Sequence, residues 1–127
     1  MSRFFMICLA GALGTGARYL VSGFALRLFG PAFAFGTLAV NMIGSFFVTF
    51  IMHVGLNTES LSPSYRTILV VGVMGGFTTY SAFNYETIRY VQDGEILRSI
   101  INIGFMLAAC LVAGVLGLFA ARWLVGR

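Results

Sequence analysis

The segment best suited to chemistry is the run Gly-Gly-Phe-Thr-Thr-Tyr-Ser-Ala-Phe at residues 75–83, which interrupts a long apolar stretch. Two adjacent glycines and two adjacent threonines weaken a helix, so we expect the backbone to open between Gly75 and Thr79. Main-chain carbonyl oxygens released in this way can converge on a cation. A glycine-rich surface where two helices cross is the alternative interpretation of the same run.

Two aromatic residues follow the glycine pair, and their spacing suits an anion. Tyr80 and Phe83 are three residues apart and therefore share one face of a helix. Because the edge of an aromatic ring is electropositive, two ring edges can face a small anion, and Ser81 offers a hydroxyl donor beside them. Ordinary aromatic packing is the alternative, since the chain contains 13 phenylalanines.

Arg18 and Asn41 are polar residues deep within apolar stretches, where such groups are costly and are candidates for function. Arg18 is far from either end of its stretch, so we predict that it faces a cavity, where its charge would concentrate anions. The amide of Asn41 can donate two hydrogen bonds, which suits coordination of an anion. A contact between helices is the alternative role for the same amide.

Glu86 lies three residues after Phe83, and a carboxylate is unexpected beside an anion path. It is a vestibule group, a proton-linked group or the ion-pair partner of Arg89, three residues further on. We predict that His53 and Asn102 lie at the membrane–water interface. The sequence contains no metal-ligand or nucleophile–base spacing and no phosphate-binding glycine pattern, so we predict that the protein is not an enzyme.

The elements that must position these residues are membrane spans. Of 127 residues, 59% are hydrophobic and 9% are charged, whereas a soluble domain has about 25% charged residues. A span needs about 20 apolar residues, and four segments qualify, at about 4–26, 33–54, 67–90 and 99–124. We therefore predict one all-α transmembrane domain over residues 1–127, with a broken third helix.

The arginines bear on orientation. The net charge is +4 and every basic residue is an arginine, scattered in a way that suits lipid headgroups better than nucleic acid. Four spans place Arg3, Arg66, Arg122 and Arg127 on one side of the membrane, and Arg27, Arg89 and Arg98 on the other. The positive-inside rule depends on the difference between sides. Near equality favours insertion in both orientations and antiparallel pairing over a weakly biased single orientation.

Small residues support such an assembly, because they let membrane helices approach closely. The first span contains Gly11, Gly14 and Gly16, and the fourth contains Gly114 and Gly117. We predict that these faces mediate helix association.

At these residues the chain resembles the Fluc (CrcB) family of fluoride channels over essentially its whole length. The resemblance depends on Gly-Ala-Leu-Gly-Thr-Gly-Ala-Arg-Tyr at 11–19, Gly-Thr-Leu-Ala-Val-Asn-Met-Ile-Gly-Ser at 36–45, and the run at 75–83. It implies a dual-topology, antiparallel homodimer of four-helix subunits in the bacterial inner membrane. It also implies two fluoride pores near the dimer interface and passive export of fluoride from the cytoplasm.

The resemblance further implies roles for individual residues. A structural sodium ion at the dimer centre is held by main-chain oxygens of Gly75 and Thr78. The implied fluoride pathway comprises the pore-lining amide of Asn41, the ring edges of Tyr80 and Phe83, the hydroxyl of Ser81, and Ala82, Arg18 and Glu86. Fluoride, a second copy of the chain and membrane lipid are the implied partners.

The chain departs from the family pattern at two of these positions. The family usually has Phe-Ser-Thr-Phe after the threonine pair, whereas this chain has Tyr80, Ser81, Ala82 and Phe83. The first departure adds a hydroxyl to a ring edge, and the second removes a hydroxyl from the polar track. We predict an assembled channel with reduced fluoride flux.

Two other functions are compatible with a small four-helix membrane protein. A small multidrug-resistance-type transporter also has dual topology, but it needs a carboxylate in the first helix, where this chain has Arg18 and no acidic residue. A non-transporting membrane assembly subunit would need Asn41 and the glycine pair only for packing.

Overall fold

The computed structural model describes residues 2–126, and every regular element in that range is helical. The elements are α1 (Ser2–Phe29), α2 (Phe35–Asn57), α3 (Pro63–Thr67), a π-helical segment π1 (Ile68–Met74), α4 (Gly75–Phe77), α5 (Tyr80–Gln92) and α6 (Ile96–Val125). The prediction of an all-α protein is confirmed for the described residues.

Three of the helices, α1, α2 and α6, are long and apolar enough to cross a membrane. They coincide with the predicted spans at about 4–26, 33–54 and 99–124, and each end differs by at most three residues. Helix α2 continues past its apolar part because Asn57 Nδ2 donates to the carbonyl oxygen of His53 at 2.8 Å and so satisfies its last turn. The predicted span at 67–90 falls on the series of shorter elements from α3 to α5.

Tight turns at two glycines connect the helices. Gly30 has a φ of 73° and Gly94 a φ of 77°, a left-handed conformation that residues with a Cβ rarely adopt. The amide of Gly30 donates to the carbonyl oxygen of Leu26 at 2.9 Å and closes α1, and the amide of Glu95 donates to Tyr90 at 2.8 Å after α5. Across these turns α1 contacts α2, and α5 contacts α6.

The backbone is extended at Thr78 and Thr79, between α4 and α5. Thr78 has φ −83° and ψ 160°, and Thr79 has φ −153° and ψ 119°. We expected opening from Gly75 onwards, but Gly75 keeps α-helical angles of φ −61° and ψ −39°. The hydroxyl of Thr79 accepts the amide of Ala82 at 3.3 Å, which caps the first turn of α5 and restarts the helix.

Glycines allow the helices of one subunit to pack closely. A Cβ at Gly14 would overlap the carbonyl oxygen of Val73, and a Cβ at Gly76 would overlap that of Gly11, so α1 lies against π1 and α4. On α6, a Cβ at Gly117 would overlap the carbonyl oxygen of Phe46 on α2. Gly16 has no neighbour of this kind within 4 Å among the described residues. Most of the small-residue faces therefore pack against other helices of the same chain.

Candidate functional site: an amide clamp beside a groove

Asn41 on α2 holds the extended backbone between α4 and α5. Its Nδ2 donates to the carbonyl oxygen of Thr79 at 2.9 Å, and its Oδ1 accepts the amide of the same residue at 2.8 Å. These are the two main-chain groups that a continuous helix would otherwise satisfy, and leaving them unpaired in an apolar environment would be costly. The clamp therefore stabilises the extended conformation of Thr79.

The second amide hydrogen of Asn41 has a weaker partner. Nδ2 lies 3.6 Å from the sulfur of Met106 on α6, and a thioether is a poor hydrogen-bond acceptor. An anion would be a much stronger acceptor for this hydrogen. Asn41 can thus keep its clamp on Thr79 and still offer one donor to a ligand.

A groove of about 690 Å³ lies beside this clamp. Its lining includes Asn41, Ser45, Thr78, Thr79, Tyr80 and Phe83. The amino terminus of α5 also opens here, and the partial positive charge of a helix amino terminus favours anions. The groove combines donors with apolar walls, which suits a small anion.

The rings of Tyr80 and Phe83 meet edge to face at this groove. Their centroids are 5.8 Å apart and the planes are inclined by 62°. Tyr80 is 76% exposed, whereas Phe83 is 9% exposed and packs in a core cluster with Leu38 and Met106. The position of Phe83 is therefore fixed by packing, while the Tyr80 ring is open on the groove side.

Ser81 and Ala82 begin α5 and connect to the clamp through Thr79. The hydroxyl oxygens of Ser81 and Thr79 are 3.2 Å apart, and the Ala82 amide donates to the Thr79 hydroxyl. Ser81 is exposed, so its hydroxyl is accessible at the surface of the chain. Ala82 contributes only its amide to this network, since its side chain is a methyl group.

The carbonyl oxygens near the glycine pair are the candidate ligands for a cation. In a continuous helix the Thr79 amide would donate to the Gly75 oxygen, but here it donates to Asn41. The Gly76 oxygen accepts from the Thr15 hydroxyl, and the Thr78 oxygen accepts from Arg18 Nη1, both at the long distance of 3.4 Å. Carbonyl oxygens are hard ligands that suit cations such as sodium, and these have weak or lost hydrogen bonds, so the donor set fits sodium, although the Arg18 charge lies next to it.

Glu86 lies away from the groove. It accepts a hydrogen bond from the Thr37 hydroxyl at 2.5 Å, and both residues line a second cavity of about 420 Å³. Among the described residues no ion pair joins Glu86 to Arg89; Arg89 Nε instead lies 3.8 Å from a carboxylate oxygen of Asp93. Of the three roles considered for Glu86, the pairing with Arg89 is therefore wrong.

The structure thus brings together most of the residues predicted from the sequence. Asn41, Tyr80 and Phe83 line one groove, and Ser81, Ala82 and Arg18 connect to it through hydrogen bonds. Sequence reasoning gave no role to Thr37 or Met106 and included Thr79 only as the end of the helix break, yet all three contact predicted site residues. Thr37 carried a usable signal, since it is a polar residue within an apolar span, whereas Met106 carried none.

Asn102 is a buried polar residue of α6. It is 1% exposed and its Nδ2 donates to the Thr87 hydroxyl on α5, and its place at the membrane–water interface stays a prediction. A polar residue buried between helices must find a partner there. Its position is therefore set by contacts within the protein.

The apolar helices, the amide clamp and the groove define a helical membrane protein with a polar site inside its apolar region. Residues 5–118 match the family described as CrcB-like protein, Camphor Resistance (CrcB). The chain belongs to this family.

Several relatives cover nearly the whole chain, and each has the name Fluoride-specific ion channel FluC. The protein of Anaeromyxobacter sp. (strain K) is 48% identical over 99% of this chain and 100% of its own length. That of Sorangium cellulosum (strain So ce56) is 50% identical over 98% of each chain. That of Geobacter sulfurreducens is 44% identical over 98% of this chain and 100% of its own length.

Proposed function

We propose that this protein is a fluoride-selective ion channel through which fluoride leaves the cytoplasm passively. Family membership and the names of its relatives support this function. The observation that carries it is the Asn41 clamp, which keeps a second amide hydrogen beside a groove walled by Phe83 and Tyr80. With this function the protein is a transporter and not an enzyme.

Fluoride is small and strongly hydrated, so its water must be replaced by other donors. An ion without such compensation in an apolar medium is very costly. Asn41 supplies an amide hydrogen in exchange for the weak Met106 contact, Ser81 supplies a hydroxyl, and the ring edges supply weaker electrostatic attraction. Among the described residues, the groove lining contains no lysine or arginine side chain, so each site binds the anion weakly, which permits rapid exit.

Passive exit suffices for protection against fluoride. Hydrogen fluoride crosses membranes as a neutral weak acid and ionises in the more alkaline cytoplasm. A negative interior potential then drives the anion outward at about 2.3 kcal/mol per charge for 100 mV. No energy-coupling site is needed.

Fluoride efflux from proteoliposomes tests this function. Vesicles loaded with potassium fluoride and made permeable to potassium with valinomycin should release fluoride, measured with an ion-selective electrode. Vesicles loaded with chloride should retain it. A protein that released both halides equally, or neither, would contradict the proposal, and proton-coupled uptake of a cationic dye would favour the drug transporter.

We also propose the assembly. Elements α3 to α5 form a fourth, broken membrane span beside α1, α2 and α6, and the multi-pass subunit lies in the bacterial inner membrane. Two subunits pair antiparallel, which the near-equal arginine distribution supports. The grooves of the two subunits then meet a partner surface and close into two pores.

A structural sodium ion at the dimer centre completes this proposal. Main-chain oxygens of Gly75 and Thr78 would hold it, because the Gly75 oxygen has lost its helical donor to Asn41 and the Thr78 oxygen has only a long contact with Arg18. The ion would neutralise carbonyl dipoles that converge from both subunits. The chain's own contribution is to keep these oxygens outside the helical hydrogen-bond pattern.

The topology of the subunits can be measured by cysteine labelling. With Cys8 and Cys110 replaced by alanine, a single Ser60→Cys in the connection between α2 and α3 should react with a membrane-impermeant maleimide from outside in about half of the molecules, since two orientations are equally populated. Complete or absent labelling would contradict dual topology.

The sodium role can be tested by cation exchange. Exchange of sodium for N-methylglucamine in detergent should convert dimers to monomers in light-scattering measurements, and unchanged dimers would contradict the sodium role.

Restoring the usual family residues should increase flux. Tyr80 adds a hydroxyl to an exposed ring on the groove, where it can hold the anion or narrow the path, and Ala82 lacks a polar-track hydroxyl. The double variant Tyr80→Phe, Ala82→Thr should therefore release fluoride about tenfold faster, the effect of roughly one hydrogen bond on a barrier. Equal efflux rates for the two proteins would count against this prediction.

A further inference from the structure

A buried chain of hydrogen bonds leads from α6 to the backbone of Phe83. Asn102 Nδ2 donates to the hydroxyl oxygen of Thr87 at 2.9 Å, and the Thr87 hydroxyl donates to the carbonyl oxygen of Phe83 at 2.7 Å. Asn102 is 1% exposed and Thr87 is 8% exposed. This chain of hydrogen bonds is shielded from solvent and ends at Phe83, which lines the groove.

The direction of this chain is fixed by its donors. A threonine hydroxyl has one hydrogen and two lone pairs. The Thr87 oxygen accepts the hydrogen of Asn102 Nδ2 through a lone pair, and its own hydrogen is therefore free to be donated to the Phe83 carbonyl oxygen. In a buried site no water can replace either bond, and linked hydrogen bonds in low dielectric strengthen each other. The pair therefore resists both rotation of α5 and its displacement along α6.

The same face of α6 also packs against the Phe83 ring. Asn102 and Met106 are four residues apart and share one helix face, and Met106 belongs to the core cluster with Phe83. Met106 also contacts the Asn41 amide. One face of α6 thus contacts the ring of Phe83 and, through Thr87, its main chain.

We propose that Asn102 and Thr87 are positioning residues that set the place of the Phe83 ring edge relative to the Asn41 donor. This inference rests on the proposed fluoride channel, in which that ring lines the path. Neither side chain lines the groove, so they act on conduction through α5. Loss of their hydrogen bonds would shift the ring by a fraction of an ångström, enough to alter a path built for a dehydrated ion.

Thr87→Val tests the proposal, because it removes the hydroxyl and nearly preserves shape. The variant is reconstituted at less than one channel per vesicle, so that the fraction of vesicles that release fluoride and the rate per active vesicle are measured separately. The rate per active vesicle should fall about tenfold, equivalent to the loss of one buried hydrogen bond. Thr87→Ser keeps the hydroxyl and should restore the rate.

Asn102→Leu provides a second variant at the other end of the chain of bonds. It should lower the rate per active vesicle like Thr87→Val, and the double variant should be no slower than the slower single variant, because both remove the same link. Thr67→Val is the matched control. The Thr67 hydroxyl donates to the carbonyl oxygen of Pro63 at 2.9 Å, four residues earlier, but it has no link to α6 in the described structure.

The outcomes separate this inference from the proposed function. Absence of fluoride release by the unmodified protein would overturn the channel assignment and this inference with it. Release by the unmodified protein with unchanged rates per active vesicle in both Thr87→Val and Asn102→Leu would overturn the positioning role alone. A smaller active fraction at an unchanged rate would have the same meaning, since it would show that the residues serve folding and not conduction.

Discussion

Replacing Asn41 by aspartate is expected to abolish fluoride efflux while the protein still inserts into the membrane. An ionised aspartate can accept the Thr79 amide, but it has no hydrogen for the Thr79 carbonyl oxygen, which lies 2.9 Å from Nδ2 in the unmodified protein. The substitution also removes the donor next to Met106 and places a negative charge on the proposed anion path. Both changes oppose conduction.

The expected reduction is about a hundredfold or more, which corresponds to about 2.7 kcal/mol on the barrier. Loss of a buried donor and repulsion between like charges in low dielectric together readily reach this value. The measurement is the initial rate of fluoride release from vesicles containing equal amounts of protein. The oligomeric state in detergent is measured on the same preparations.

Asn57→Asp is the matched control. Asn57 lies on the same helix, and its amide likewise donates to a main-chain carbonyl oxygen, that of His53, but it is exposed at the end of α2. Its flux should remain within about twofold of the unmodified protein, since an exposed bond contributes little. Rapid efflux by Asn41→Asp would show that the clamp and its donor are dispensable, as expected for a protein in which Asn41 only packs helices.

The clamp shows where sequence reasoning succeeded and where it could not. Asn41 was singled out because an amide in an apolar span needs a partner, and that argument requires no structure. The identity of the partner, Thr79, depends on a contact between residues 38 positions apart, for which one sequence contains no signal. The structure shows the alternative role, a contact between segments, while the donor role toward an anion stays a prediction.

The glycine pair illustrates a second limit. A glycine in an apolar stretch indicates either a flexible backbone or a close approach of another segment, and the sequence cannot separate the two. In the structure Gly76 keeps a helical conformation in α4 and packs against Gly11 of α1. The extended residues are the two threonines that follow. The long helices were easier to predict, because hydropathy and length decide a membrane span almost alone.

Replacing Gly76 by alanine is the prediction with the second large effect, and it concerns folding. The Cβ would overlap the carbonyl oxygen of Gly11 on α1 and lie 3.1 Å from its carbonyl carbon. Neither atom belongs to a flexible side chain, so the two helices must separate. We expect a loss of stability of about 3 kcal/mol, at the upper end of values for overpacked sites.

The separation would also reach the site, because Gly76 lies two residues before Thr78. Its carbonyl oxygen accepts the Thr15 hydroxyl at 3.4 Å, and moving α4 away from α1 would break this contact and the long contact of Arg18 with Thr78. Stability is measured as the temperature at which half of the protein leaves its native elution peak after brief heating, detected by size-exclusion chromatography. Gly76→Ala should lower this temperature by several degrees.

Gly104→Ala is the control that separates packing from the general effect of removing a glycine. Gly104 lies in the middle of α6, and a Cβ there has no neighbour within 4 Å among the described residues. Since alanine is a better helix former than glycine by about 1 kcal/mol, this variant should be at least as stable as the unmodified protein. If Gly76→Ala were equally stable, α1 and α4 would not be in close contact, and the extended backbone at Thr79 would lose the support on which the proposed pathway depends.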